Sequence, residues 1–295
     1  VDCLLDILVS QADVDFLAQT VPHLVRSCRF PFRRRRLLVD TRPLSGDYAA
    51  RAGVGTVEDL LRLCAALERD GVVDRVEMID YSESVRLEIM VRHFGEDPDS
   101  THSAKGYPLY GMAYGIATAG AAYYLHFDSD MLLYQAPEAS WVAAGIDLLR
   151  RDADVLCVLP LPGPPTADGS LDQPYTGYDI DPRGYYVFKA FTSRKFLIDV
   201  GRFESALPLR LRYRPSKRGG PPRLEPWEVL VSDLLRGSRY VRADLASPTA
   251  WTLHPPDHGP QFLRSLPEII ARVERGWFPP GQAGKYDLVS ELWAF

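Results

Sequence analysis

Two carboxylates one residue apart, Asp128 and Asp130, follow an apolar run at residues 122–127 and precede a second one, Met131-Leu132-Leu133. An Asp-x-Asp at a strand end can hold a divalent cation, and a divalent cation can hold a diphosphate. The plain alternative is a pair of solvated acids in a turn. Acids wedged between apolar runs are costly unless they are paired or bind a metal, which favours the functional reading. Far downstream, His254, Asp257 and His258 stand on a Pro-rich loop after a strand-like run. Neutral imidazole suits Mn2+, so both histidines are candidate metal ligands. No third strong ligand lies near them in sequence, so a dedicated zinc site is not expected. These residues make a sugar-nucleotide enzyme the first hypothesis.

The elements that must position them alternate. Residues 4–10, 37–39, 72–79, 122–127 and 154–159 read as strands, and three of these runs stop on an acid: Asp40, Asp80 and Asp128. Residues 14–28, 57–67, 107–120 and 138–150 read as helices, with Thr56 as an N-cap and Glu58 and Asp59 in the first turn after it. Strand and helix in alternation predict an α/β fold, a mostly parallel sheet with helices on both faces. Ligands of such sheets sit beyond the carboxyl ends of the strands. After Pro160 the texture changes. Residues 160–184 and 214–226 are rich in Pro and Gly and read as loops, lids or binding segments. Residues 185–203 carry strand and helix signals, 228–235 a helix, and 269–275 a short one. The chain divides into a nucleotide-binding half, 1–130, and an acceptor-facing half, 131–295, sharing one continuous sheet.

Composition sets the outer limits. A chain of 295 residues with 46% hydrophobic and 25% charged residues is an ordinary globular protein with a sizeable core. Its net charge of −5 argues against a nucleic-acid partner. The run Arg33 to Arg36 reads as a solvated loop leading into a strand. Cys3, Cys28, Cys64 and Cys157 are far apart, so buried free thiols in a reducing, cytoplasmic compartment are expected. No apolar stretch is long enough for a transmembrane span, and the first residues do not read as a signal peptide.

The order of these blocks resembles the GT-A fold glycosyltransferases, most closely family 2. The resemblance lies in Gly115-Ile116-Ala117-Thr118-Ala119-Gly120 leading through Tyr123-Tyr124-Leu125 to Asp128-Ser129-Asp130. Residues 4–10 with the helix and the Leu38-Val39-Asp40 strand after them resemble the family's first strands. The segment from Phe191 to Phe203 resembles its acceptor-side Arg-x-x-hydrophobic…Gly-Gly-Phe stretch. The resemblance implies Asp40 and Asp80 near the base and ribose, Asp128 on the ribose or metal, and Asp130 as the direct metal ligand. Ser10 and Gln11, at the first strand's end, can meet the base through hydrogen bonds. It further implies a C-terminal histidine in the metal shell, for which His254 and His258 both stand. Met112 and Ala113 occupy the places of a common Arg-Asn pair, so the cation facing the diphosphate must come from elsewhere, with Lys105 the candidate.

An inverting transfer also needs a carboxylate base. The family's Glu-Asp pair is absent here, and Pro226 falls where its aspartate is expected. Glu228 is the first choice, opening a helix after Trp227, which can floor a sugar site. Glu225 is second and Asp233 third. Trp141, Tyr175, Tyr178, Tyr185, Tyr186, Trp251 and Trp277 can line an acceptor groove or pack the core. The resemblance therefore implies a Mn2+- or Mg2+-dependent, inverting hexosyltransferase. Its donor is a UDP- or GDP-sugar and its acceptor a soluble saccharide or natural-product small molecule. A sugar nucleotidyltransferase is the alternative, although Ser10-Gln11-Ala12-Asp13 lacks that class's Gly-rich basic loop. A catalytically silent nucleotide-sugar-binding protein is another. Oligomeric state is not legible.

Overall fold

The computed structural model describes residues 1–295 except 50–53, 99, 173–176, 216–221 and 294–295. Tyr175 and residues 216–221 of the second Pro/Gly-rich stretch lie outside the described residues. The first half contains strands β1 (Cys3–Val9), β2 (Arg34–Val39), β3 (Arg75–Met78) and β4 (Tyr123–Asp128). Helices α1 (Leu17–Cys28), α2 (Gly46–Ala49), α3 (Val57–Arg69), α4 (Glu83–Phe94) and α5 (Tyr110–Ala117) join them. Next come β5 (Leu132–Gln135), α6 (Trp141–Arg151), β6 (Val155–Leu159), β7 (Leu161–Pro162), β8 (Asp179–Asp181), β9 (Tyr185–Phe188), β10 (Lys195–Asp199) and α7 (Val200–Ser205). They are followed by β11 (Tyr213–Arg214), β12 (Arg223–Leu224), α8 (Trp227–Gly237), β13 (Val241–Leu245), β14 (Ala250–Leu253) and α9 (Pro260–Glu274).

Among the described residues the main sheet runs β3-β2-β1-β4-β10-β6-β13-β9-β8. Its first four strands are parallel. β10 then enters antiparallel between β4 and β6, and β13 pairs parallel with β6. β9 and β8 close that side antiparallel, so the sheet is parallel over its first four strands and mixed on the other side. β5, β14 and β7 form a small separate sheet in the order β5-β14-β7.

Side-chain alternation explains the layers. Leu5, Ile7 and Val9 of β1 pack with α1, α3 and α6, while Leu4 and Leu8 pack with α4, α5 and α8. Asp6 shares the second face and is fully buried. It is matched by Arg36, its register partner on β2, through contacts of 2.7 and 3.2 Å. Tyr124 donates a further hydrogen bond to Asp6 at 2.7 Å. α5 approaches this pair closely because Gly115 has no side chain: a Cβ there would meet the Tyr124 hydroxyl at 2.5 Å.

Two expectations are corrected. Arg34 to Arg36 belong to β2, and Arg36 is 1% exposed, so the arginine run is not a solvated loop. Residues 269–275 are the end of a fifteen-residue helix, α9. Pro267 lies inside it and interrupts the sequence pattern, because proline removes a donor and crowds the preceding turn. The helix nevertheless holds because Phe262, Leu266, Ile269, Ile270 and Val273 bury into the core around the small sheet.

Candidate active site

The carboxyl ends of β1, β2 and β4 open on one cleft of about 890 Å³. Ser10, Asp40 and Lys105 line it. So do Asp128, Asp130, His254 and His258, and Glu228 from α8. Eight of the eleven residues singled out from the sequence thus meet in one place, although Ser10 and Glu228 are far apart in the chain.

Ser10 donates its backbone N–H and its hydroxyl to Asp13 Oδ2, at 2.6 and 3.2 Å. Both Asp40 oxygens are engaged: Oδ1 accepts from the Tyr81 hydroxyl and the Arg42 N–H, each at 2.9 Å, and Oδ2 lies 3.1 Å from His102 Nε2. Asp40 therefore ties three loops together at the mouth of the cleft. The Lys105 loop is locked onto the start of α2 by two glycines with left-handed backbone. A Cβ on Gly106 would sit 2.0 Å from Ser45 O, and one on Gly46 would sit 2.3 Å from the Lys105 carbonyl carbon.

The centre carries the acids. His126, on the strand itself, brings Nε2 to 3.1 Å from Asp128 Oδ1. Asp130 Oδ2 lies 3.2 Å from His258 Nε2 and 3.9 Å from His254 Nε2. Burial pushes the Asp130 carboxyl up, but contact with His258 and the charges of His254, His258 and Arg194 hold it below the usual carboxylate range. Burial pushes Asp13 up to about 7, with the charges of Asp130 and Asp128 adding to the effect. His258 stacks on Phe16 with ring centroids 4.6 Å apart.

Among the described residues, no three His, Cys, Asp or Glu side chains already form a set able to hold an ion. The donors nevertheless suit a divalent cation whose remaining positions are filled by substrate oxygens. Asp130 Oδ1 is buried with no hydrogen-bond partner among the described residues, and the buried His258 Nε2 has only its 3.2 Å contact with Asp130 Oδ2; carboxylate oxygen suits Mn2+ and Mg2+, and imidazole nitrogen can join it on Mn2+.

Glu228 is half-buried in the first turn of α8, with Ser193 Oγ 3.4 Å from its Oε2. Burial pushes its carboxyl up, and the charges of Arg194 and Arg242 oppose this only in part. Trp227 is 2% exposed and packs against Phe191, Phe196 and Phe203, so its ring belongs mainly to the core. Trp141, Trp251, Tyr185 and Tyr186 are buried as well, so of the two readings core packing holds for them.

Three sequence candidates stand outside the cleft. Asp80 Oδ1 accepts from the Ser82 N–H at 2.7 Å, which is a turn role at the start of α4. Glu225 turns to Arg214 Nε at 2.7 Å, and Asp233 pairs with Arg212 and Arg236 on the surface. The cleft also holds groups that the sequence did not single out: Asp13, His102, Arg194, Arg242 and Asp287. Two of them carried a signal: Asp13, in the turn after β1, as an acid at a strand end, and Arg194 as the arginine of the Arg-x-x-hydrophobic stretch.

The fold has solved relatives. The crystal structure of GalNAc-T7 with UDP, GalNAc and Mn2+ aligns with 86% of this chain and 44% of its own, at 13% identity and a TM-score of 0.51. This chain thus spans less than half the length of that one. An active-site mutant of LgtC aligns over 68% of this chain and 59% of its own, at 12% identity and a TM-score of 0.33. HddC from Yersinia pseudotuberculosis aligns over 86% and 93%, at 12% identity and a TM-score of 0.41. No family model and no curated protein matches the chain. The likeness to GalNAc-T7 concerns the fold, and that fold is GT-A, as the sequence resemblance implied.

Proposed function

We propose that this chain is a metal-dependent glycosyltransferase. It moves a sugar, a hexose by expectation, from a UDP- or GDP-sugar to a hydroxyl of a saccharide or small natural-product acceptor. The carrying observation is that Asp128 and Asp130 at the end of β4 share one cleft with two histidines and the half-buried carboxylate of Glu228. GalNAc-T7, of the same fold, was crystallised with UDP, GalNAc and Mn2+, and those ligand classes suit the groups found here.

Asp128, Asp130 and a cleft histidine are the residues that hold the cation. When bound, Mn2+ or Mg2+ neutralises charge on the leaving diphosphate. Arg194 lines the same cleft and its charge acts on Asp130, so it is better placed than Lys105 to give a guanidinium to phosphate oxygens. The Ser10 and Asp40 end receives the base and ribose. Glu228 takes the proton of the acceptor hydroxyl as that oxygen attacks the anomeric carbon. The bond from the anomeric carbon to the diphosphate breaks on the opposite face, so the configuration inverts.

The test is a melting-temperature panel of UDP-, GDP- and dTDP-sugars with and without Mn2+, on wild type and Asp130→Ala. One nucleotide should raise the wild-type Tm by several degrees only with Mn2+, and Asp130→Ala should lose the effect. Metal-dependent binding and donor hydrolysis that both survive in Asp130→Ala contradict the proposal. Binding with no turnover of any donor by wild type points instead to a silent nucleotide-sugar-binding protein.

A further inference from the structure

His254 follows β14, and a later segment runs beside it. The His254 N–H donates to Tyr286 O at 3.0 Å, and the Leu288 N–H donates to His254 O at 2.8 Å, which sets Asp287 opposite His254 in parallel register. Asp287 Oδ1 then lies 2.7 Å from His254 Nδ1. A ring nitrogen this close to a carboxylate must carry the proton, because a bare lone pair there would be repelled. The opposite nitrogen, Nε2, keeps its lone pair. It faces Asp130 Oδ2 at 3.9 Å, too far for a hydrogen bond. Two electron-pair donors at that separation suit a shared cation.

The surroundings hold this arrangement. The His254 ring lies nearly parallel to Tyr286, at 5.9 Å and 16°. Tyr286 is itself covered by the buried Lys195, whose Nζ is 3.9 Å from the ring centroid. Arg194 Nη1 also reaches Asp287 Oδ1, the same oxygen that meets His254, at 3.5 Å.

We propose that Asp287 is a positioning residue of the metal site: it fixes His254 as the Nδ1–H tautomer, so that the Nε2 lone pair completes the cation shell beside Asp130. The proposal rests on the metal-dependent reading of the cleft, and it selects His254 as a ligand that the sequence left level with His258. Carboxylates behind metal-bound imidazoles fix ring orientation and raise ligand basicity, and their loss weakens metal binding by about 10–100-fold.

Two measurements test it on the full chain, with thermal melting as a check of folding. In 15N-histidine-labelled, metal-free protein, long-range NMR should find His254 as Nδ1–H in wild type and in Asp287→Asn, whose amide oxygen still accepts. In Asp287→Ala the tautomers should mix. Titration with Mn2+ alone, read by the electron paramagnetic resonance of free Mn2+, should show binding about 10–100-fold weaker in Asp287→Ala and largely restored in Asp287→Asn. An Nε2–H tautomer in wild type overturns the proposal. So does a folded Asp287→Ala that holds Mn2+ like wild type while His254→Ala does not. If wild type and Asp130→Ala hold Mn2+ equally, the metal reading itself fails and the ligand role falls with it, whatever the tautomer.

Discussion

His126 and Asp128 meet inside the sheet, with Nε2 of the histidine 3.1 Å from Oδ1 of the acid. The two residues are two apart on β4 and so share one face of the strand. The imidazole is fully buried and stacks on Phe196 with ring centroids 5.0 Å apart. The first acid of the Asp-x-Asp is thereby braced from within the core.

That brace gives a prediction. His126→Leu removes the contact, and it also removes His126 Nδ1, which is buried with no hydrogen-bond partner among the described residues. Stability should therefore change little, because an unsatisfied polar atom is lost together with a satisfied one. Mn2+-dependent nucleotide affinity should fall about tenfold, as for loss of an outer-shell partner. Calorimetric titration beside a melting curve checks this, and an unchanged affinity would sink it.

Glu228 supplies the second prediction. Glu228→Gln should lower kcat by about 10²–10⁴-fold, the usual worth of a general base, while donor KM moves little. Burial pushes the Glu228 carboxyl up, so the acid limb of kcat/KM should lie above the ordinary glutamate range. The sign follows from the base being active only when ionised: activity persists above the raised value and is lost as pH falls through it. Arg194→Met removes a charge that opposes the rise, and should move the limb to still higher pH. A pH–rate profile with its limb at the ordinary glutamate value would exclude Glu228 as the base.

The third concerns the fold. Arg36 and Asp6 are 1% and 0% exposed, and Arg36 also reaches Gly115 O and Thr118 Oγ1. Arg36→Met leaves Asp6 buried without its charge partner and should cost about 3–5 kcal/mol. Adding Asp6→Leu should recover most of that loss, since a buried ion pair is replaceable by well-packed apolar groups. Urea unfolding of the two proteins decides it: equal instability of single and double variants would mean that the pair is not the cause.

The legible and illegible parts of this molecule differ in kind. The end of β4 can be read from sequence because acids that close a buried apolar run must find a partner or a cation. Gly115 before the strand is a local signal too, accounted for by the close approach of α5. Arg36 cannot be read, because four arginines in a row suggest solvent until the register sets one of them opposite Asp6. Asp287 has no local signature: it is an ordinary charged residue set opposite His254 only by a distant pairing. Glu225 and Glu228 are three residues apart and look alike as bases, yet only the side chain on α8 reaches the cleft, while the other pairs with Arg214.

The placement of β10 has a consequence for how the protein is made. β4 has β1 on one side and takes β10 on the other, and β10 is synthesised long after it. Until then the strand ending in Asp128 is an open apolar edge on a growing nascent chain, the kind of surface that pairs with the wrong partner. Asp128 and Asp130 therefore exist on the ribosome before their strand is safe from aggregation. A truncated product that stops before Lys195 should be insoluble, or held by chaperones, instead of being a small nucleotide-binding module.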